Sequence, residues 1–115
     1  MNRSRFLATP TSVGSVKEIH RSSTLVVWAG YDDHGRLAIE GQDLGGHPMC
    51  DEYEYFIHVA PAQFPQLCQA LGGGEDDDVL ALLAGRGPEV VRAGETSWLR
   101  ANGVPFDFDS RMGFH

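Results

Sequence analysis

A chain of 115 residues with 42% hydrophobic side chains can bury one core and is too short for two, so a single domain is expected. Its 16 acidic side chains outnumber its 9 basic ones, and the formal charge of -7 argues against a general binder of nucleic acid or anionic membrane, whose phosphate contacts need a basic surface. The natural complement of such a surface is a cationic partner.

Residues 1–14 mix Arg, Ser, Thr, Pro and Gly with few large apolar side chains, so a loosely docked N-terminus is expected, followed by one domain over 15–115. The apolar content of this start, Phe6, Leu7 and Ala8, falls short of a signal peptide, and no later run reaches the length of a membrane span. A cytoplasmic protein with both cysteines, Cys50 and Cys68, reduced is the corresponding expectation.

From residue 15 to 21 the alternation is weak, with Ile19 out of phase, which suggests an edge strand. Residues 24–31 are apolar on both faces, as a covered central strand is. The run Asp32-Asp33-His34-Gly35 then predicts a tight hairpin, in which Gly35 supplies the positive φ that the turn requires. A further strand is expected over 36–44. After a flexible loop containing Gly45, Gly46 and Pro48, residues 52–59 alternate strictly. Tyr53, Tyr55, Ile57 and Val59 form the face to be buried by helices, and Glu52, Glu54, Phe56 and His58 the opposite face, expected to be wet and mostly acidic.

Beyond Ala60 the period changes to that of a helix, with Phe64, Leu67, Cys68 and Leu71 on one stripe, Pro61 in the first turn and Gly72-Gly73-Gly74 as the stop. Asp76 to Asp78 suit the start of a second helix carrying Val79, Leu80, Leu82 and Leu83, and Gly85-Arg86-Gly87-Pro88 reads as its end. A third short helix is expected over 95–102, closed by Asn102-Gly103, and a last strand over 104–109. The sum is an α+β fold: a mainly antiparallel sheet with two or three short helices packed on one face.

Chemistry-bearing residues concentrate in the same middle stretch. Glu40, Asp43, Glu52 and Glu54 could lie on neighbouring strands as an acid/base pair, as ligands to a hard cation, or as a charged surface for a partner. His47, Cys50 and His58 are of zinc-ligating types, but H-x-x-C with one distant Cys lacks the paired spacing of a zinc site. The chain carries no G-x-S-x-G elbow and no phosphate loop. No catalytic residue and no cofactor is therefore assigned.

The order of three segments, G-R-L-A-I-E-G-Q-D-L-G at 35–45, D-E-Y-E-Y-F-I-H-V at 51–59 and W-L-R-A-N-G-V-P-F-D-F at 98–108, resembles a group of small acidic bacterial proteins of uncharacterised function. In size and charge these are similar to toxin-immunity proteins. The resemblance implies a non-enzymatic inhibitor that clamps a basic protein such as a toxin domain, and it transfers no catalytic residue. On this reading Glu40, Gln42, Asp43, Asp51, Glu52 and Glu54 form the partner-binding face, with Tyr53 or Tyr55 as an aromatic anchor. The alternative from another class is a small metal-binding protein or enzyme using His47, Cys50, His58 and the nearby carboxylates. A third is a homo-oligomer paired through an exposed strand edge.

Overall fold

The computed structural model describes residues 16–45 and 52–113. Five strands, β1 (Lys17–Arg21), β2 (Leu25–Tyr31), β3 (Leu37–Asp43), β4 (Glu52–Val59) and β5 (Asp107–Gly113), form one antiparallel sheet in chain order. Between β4 and β5 come a single 3-10 turn (Pro61–Gln63) and four short helices, α1 (Phe64–Ala70), α2 (Val79–Gly85), α3 (Gly87–Ala93) and α4 (Glu95–Ala101). This is the α+β architecture the sequence predicts, with one helix more. None of the described helices is long and apolar enough to cross a membrane.

Sequence and backbone agree at the punctuation points. Gly35 takes φ +76 in the β2–β3 hairpin, and Asp32 accepts hydrogen bonds from the His34 and Arg36 amides at 2.8 and 3.0 Å. Asp78 caps α2 by accepting from the Leu80 and Ala81 amides, as the acidic run suggested. Gly103, at φ +70, ends α4 in a Schellman arrangement: its own amide reaches the Arg100 carbonyl and that of Val104 the Leu99 carbonyl.

Pairing register fixes the two faces of the sheet. Leu25, Val27, Ala29 and Tyr31 align with Asp43, Gly41, Ile39 and Leu37 and then with Tyr53, Tyr55, Ile57 and Val59. This is the core side. Val27, Ala29, Leu37, Ile39, Ile57 and Val59 are fully buried there against Leu67, Cys68, Leu71, Leu80, Leu83, Val90 and Leu99 of the helices. Ile19 joins them through a bulge between Glu18 and His20, which is why it is out of phase in the sequence. Helix α3 seats on that bulge through Gly87, where a Cβ would stand 2.4 Å from the Ile19 carbonyl oxygen.

Three expectations need correction. The Gly85-Arg86-Gly87-Pro88 stretch is a junction rather than an end, since Pro88 occupies the first turn of α3, where its missing N–H costs nothing. The last strand begins at Asp107 rather than at 104 and runs past 109 to Gly113. The centre of the face away from the helices is not wet: Glu40, Phe56, Glu54 and His58 keep only 2%, 3%, 5% and 6% of their exposure. The expected loose N-terminus, His47, Cys50 and Asp51 lie outside the described residues.

Candidate functional site

Period-two geometry sorts the predicted acidic group into two sets. Glu40 and Gln42 on β3 share the face away from the described helices with Glu52, Glu54, Phe56 and His58 on β4, in the cross-strand rows Val26, Gln42, Glu54, Arg111 and Trp28, Glu40, Phe56, Asp109. Asp43, one residue further on, faces the helix side beside Tyr53. The sequence therefore brings Glu40, Gln42, Glu52 and Glu54 together and separates Asp43 from them.

On this face Gln42 Nε2 donates to Glu52 Oε2 at 3.0 Å, and Arg111 stands 3.8 Å from Glu54 while its guanidinium lies over the Phe56 ring, 5.6 Å from the centroid. Burial raises the Glu54 carboxyl above the usual carboxylate range, the Glu52 charge adds to that, and Arg111 opposes it. At the hairpin end of the same face, His58 Nε2 lies 3.8 Å from Asp32 Oδ2, and that oxygen accepts a hydrogen bond from Arg36 Nε at 2.8 Å. Burial works against ionisation of Asp32, but the His34 and Arg36 amides and the Arg36 guanidinium outweigh it and hold its carboxyl low. Among the described residues no three His, Cys, Asp or Glu side chains converge as metal ligands.

The core side holds a second polar pair that the sequence reading missed. Tyr55 lies across Gly41, where a Cβ would stand 2.1 Å from the ring, and its hydroxyl donates to Glu95 at the first position of α4. Glu95 is only 8% exposed. Tyr55 is thus half-buried, with its hydroxyl committed to Glu95. Burial raises the Glu95 carboxyl, with the Tyr55 hydrogen bond and His20 of β1 pulling the other way. Burial and the Glu95 charge push the Tyr55 hydroxyl far above its ordinary value. A glycine inside a strand is the available signal for Gly41, since it marks close approach of another group. Glu95 gave no signal, because a glutamate in a first helical turn is ordinarily solvated.

This pair gives a pH prediction. A carboxyl raised on folding contributes stability that is fully present below its unfolded value, about 4.3, and is lost as pH rises through the folded value. Glu95→Gln keeps an acceptor for Tyr55 without the charge. Its melting temperature should exceed that of the parent at pH 8 by more than at pH 4, and an equal difference at both would refute the assignment.

Cys68, predicted as a small buried hydrophobe, is fully buried, unbonded to another cysteine, and directs its Sγ to the Asp77 carbonyl at 3.4 Å. Burial and the charges of Asp77, Asp78 and Asp76 push its thiol up, which disfavours the reactive thiolate.

Among the described residues, carboxylates open to solvent gather at the hairpin end of the sheet. Strands β2 and β4 end, and β3 and β5 begin, at the hairpin end of the sheet. Asp33 in the loop and Asp107 at the start of β5 are exposed there. The Tyr31 hydroxyl, donating to Asp78 Oδ1 at 3.3 Å, brings the exposed Glu75 to Asp78 run to the same end. Comparison with protein families, with curated proteins and with solved structures finds no match for this chain.

Proposed function

We propose that the chain is a non-enzymatic acidic binding protein of the immunity or antitoxin kind, which captures a basic protein partner. The observation that carries this reading is the placement of the surplus charge: Asp33, Asp76 and Asp107 stand exposed at the hairpin end of a chain whose formal charge is -7. Charges on a solvated rim steer an oppositely charged protein and set its salt dependence, whereas buried ones do not meet it. Glu40 and Glu54 are therefore withdrawn from such a contact, and of the expected set Gln42, Asp43 and Glu52 are, among the described residues, half-exposed at the other end of the sheet.

The test is capture of a basic protein at low salt by the tagged chain, followed by titration of that partner against variants. D33N/D76N/D107N should weaken binding at least about tenfold and flatten its salt dependence, while D43N/E52Q should have the smaller effect. Binding that is indifferent to salt and to both variants would overturn the reading. A larger loss in D43N/E52Q would move the contact to the loop end.

A further inference from the structure

The two edges of the sheet are built differently. Strand β1 is short, bulged and packed against by α2 and α3, and these are the usual means by which an edge is kept from pairing. Strand β5 has seven residues in regular register with β4, and among the described residues no strand pairs with its outer edge. Phe108 and Met112 are 50% and 52% exposed there, two of the few large apolar side chains the described surface leaves open. An uncovered strand with apolar side chains is a template for another strand.

Its sequence specifies which one. Asp107-Phe108-Asp109-Ser110-Arg111-Met112-Gly113, laid antiparallel on a second copy of itself about Ser110, sets Phe108 opposite Met112 and Asp109 opposite Arg111, each pair occurring twice by symmetry. Phe108, Ser110 and Met112 share the helix side of the sheet, and Asp109 and Arg111 the other, so the apolar pairs fall on one face and the ion pairs on the opposite one. A register shifted by two residues would pair Asp109 with Asp109 or Arg111 with Arg111. Antiparallel pairing across a two-fold axis also keeps the helices of both copies on the same face. The Phe108 ring is already stacked on Tyr55, with centroids 6.4 Å apart, so the apolar pair would extend an ordered aromatic surface. Arg111, its side chain 63% exposed beside Glu54, and Asp109, exposed and accepting from the Ser110 amide at 2.9 Å, both stand on this edge strand.

We infer that β5 is a self-association edge, through which two copies of this chain join their sheets into one ten-stranded antiparallel sheet with Phe108–Met112 and Asp109–Arg111 contacts across the two-fold axis. This edge adjoins the acidic hairpin end proposed for the basic partner at Asp107, but its side-chain pairs, Phe108–Met112 and Asp109–Arg111, use none of that end's acids.

The test is sedimentation of the full chain from micromolar to millimolar concentration, together with D109R and R111D. The parent should show a reversible monomer–dimer equilibrium. D109R alone and R111D alone place like charges opposite each other twice, and each should weaken self-association about tenfold or more. An equimolar mixture of D109R and R111D restores both opposite-charge pairs and should form a heterodimer. A parent that stays monomeric throughout, a dimer indifferent to D109R, or a mixture that fails to associate although both variants retain the parent's circular dichroism would each overturn the inference. Should either variant misfold, amide hydrogen exchange of the parent decides. Residues 107–113 must gain protection as concentration rises, and exchange there that is independent of concentration refutes the pairing.

Discussion

Gly41→Ala is expected to destabilise the chain by about 3–5 kcal/mol, a large part of the total stability of a domain this size. The added methyl group would stand 2.1 to 2.4 Å from Cζ, Cε2 and the hydroxyl of Tyr55. The ring cannot yield cheaply, because Tyr53 and Phe108 lie against it, with centroids 6.1 and 6.4 Å away, and its hydroxyl is fixed on Glu95. Moving the ring strands a buried carboxylate, so the overpacking cost is joined by an unmet hydrogen bond. A double-mutant cycle checks this by urea denaturation. Tyr55→Val removes the clashing atoms, so Gly41→Ala should cost at least about 2 kcal/mol less in the Tyr55→Val background. Additive losses would show that the two residues are not coupled.

Asp32→Ala is expected to cost about 2–3 kcal/mol, because one side chain with 8% exposure closes the hairpin through two backbone amides and the Arg36 guanidinium. At the usual scaling for a domain of this size, the melting temperature should drop by about 10–20 °C. Asp32→Asn keeps an acceptor for the amides and should lose about half as much. The pH dependence has the opposite sign to that of Glu95. A carboxyl held low on folding contributes stability present above its unfolded value, about 3.9, and lost as pH falls through the folded value. The advantage of the parent over Asp32→Asn should therefore be full at pH 6 and shrink as the solution is acidified below pH 4. A constant advantage would mean that the charge contributes nothing.

The segments of the resemblance, I-E-G-Q-D and E-Y-E-Y, prove to be physically interlocked. Residues 39–43 pair with 53–57 across β3 and β4, with Gly41 opposite Tyr55 and Gln42 opposite Glu54. Glycine is required where the tyrosine ring crosses the neighbouring strand, and Gln42 ties down Glu52. This accounts for the two segments as structural complements, without assigning either a catalytic part.

Local rules settled what depends on neighbours in the chain. The hairpin at Gly35, the cap at Asp78, the helix ends at Gly72 and Gly103, and the alternation of β4 were all legible, because each rests on the backbone preference or side-chain period of a few consecutive residues. Period two also contained the separation of Asp43 from Glu40 and Gln42, although counting carboxylates alone had grouped them. The start of β5 was misplaced because Val104 and Phe106 alternate like a strand while packing beneath α4, and a two-residue period does not say which sheet or helix receives it.

Composition, charge and local side-chain periods thus determined an acidic α+β domain with a hairpin meander at its centre. Tertiary structure alone decided which of the acids meet solvent. Burial depends on what lies opposite a residue in space, so Glu40, Glu54 and Glu95 are enclosed while Asp33, Asp76 and Asp107 stand exposed at one end of the sheet. Among the described residues, the order of the strands also puts Asp107–Gly113 at an edge, since a strand's neighbours are set by long-range pairing rather than by its own residues.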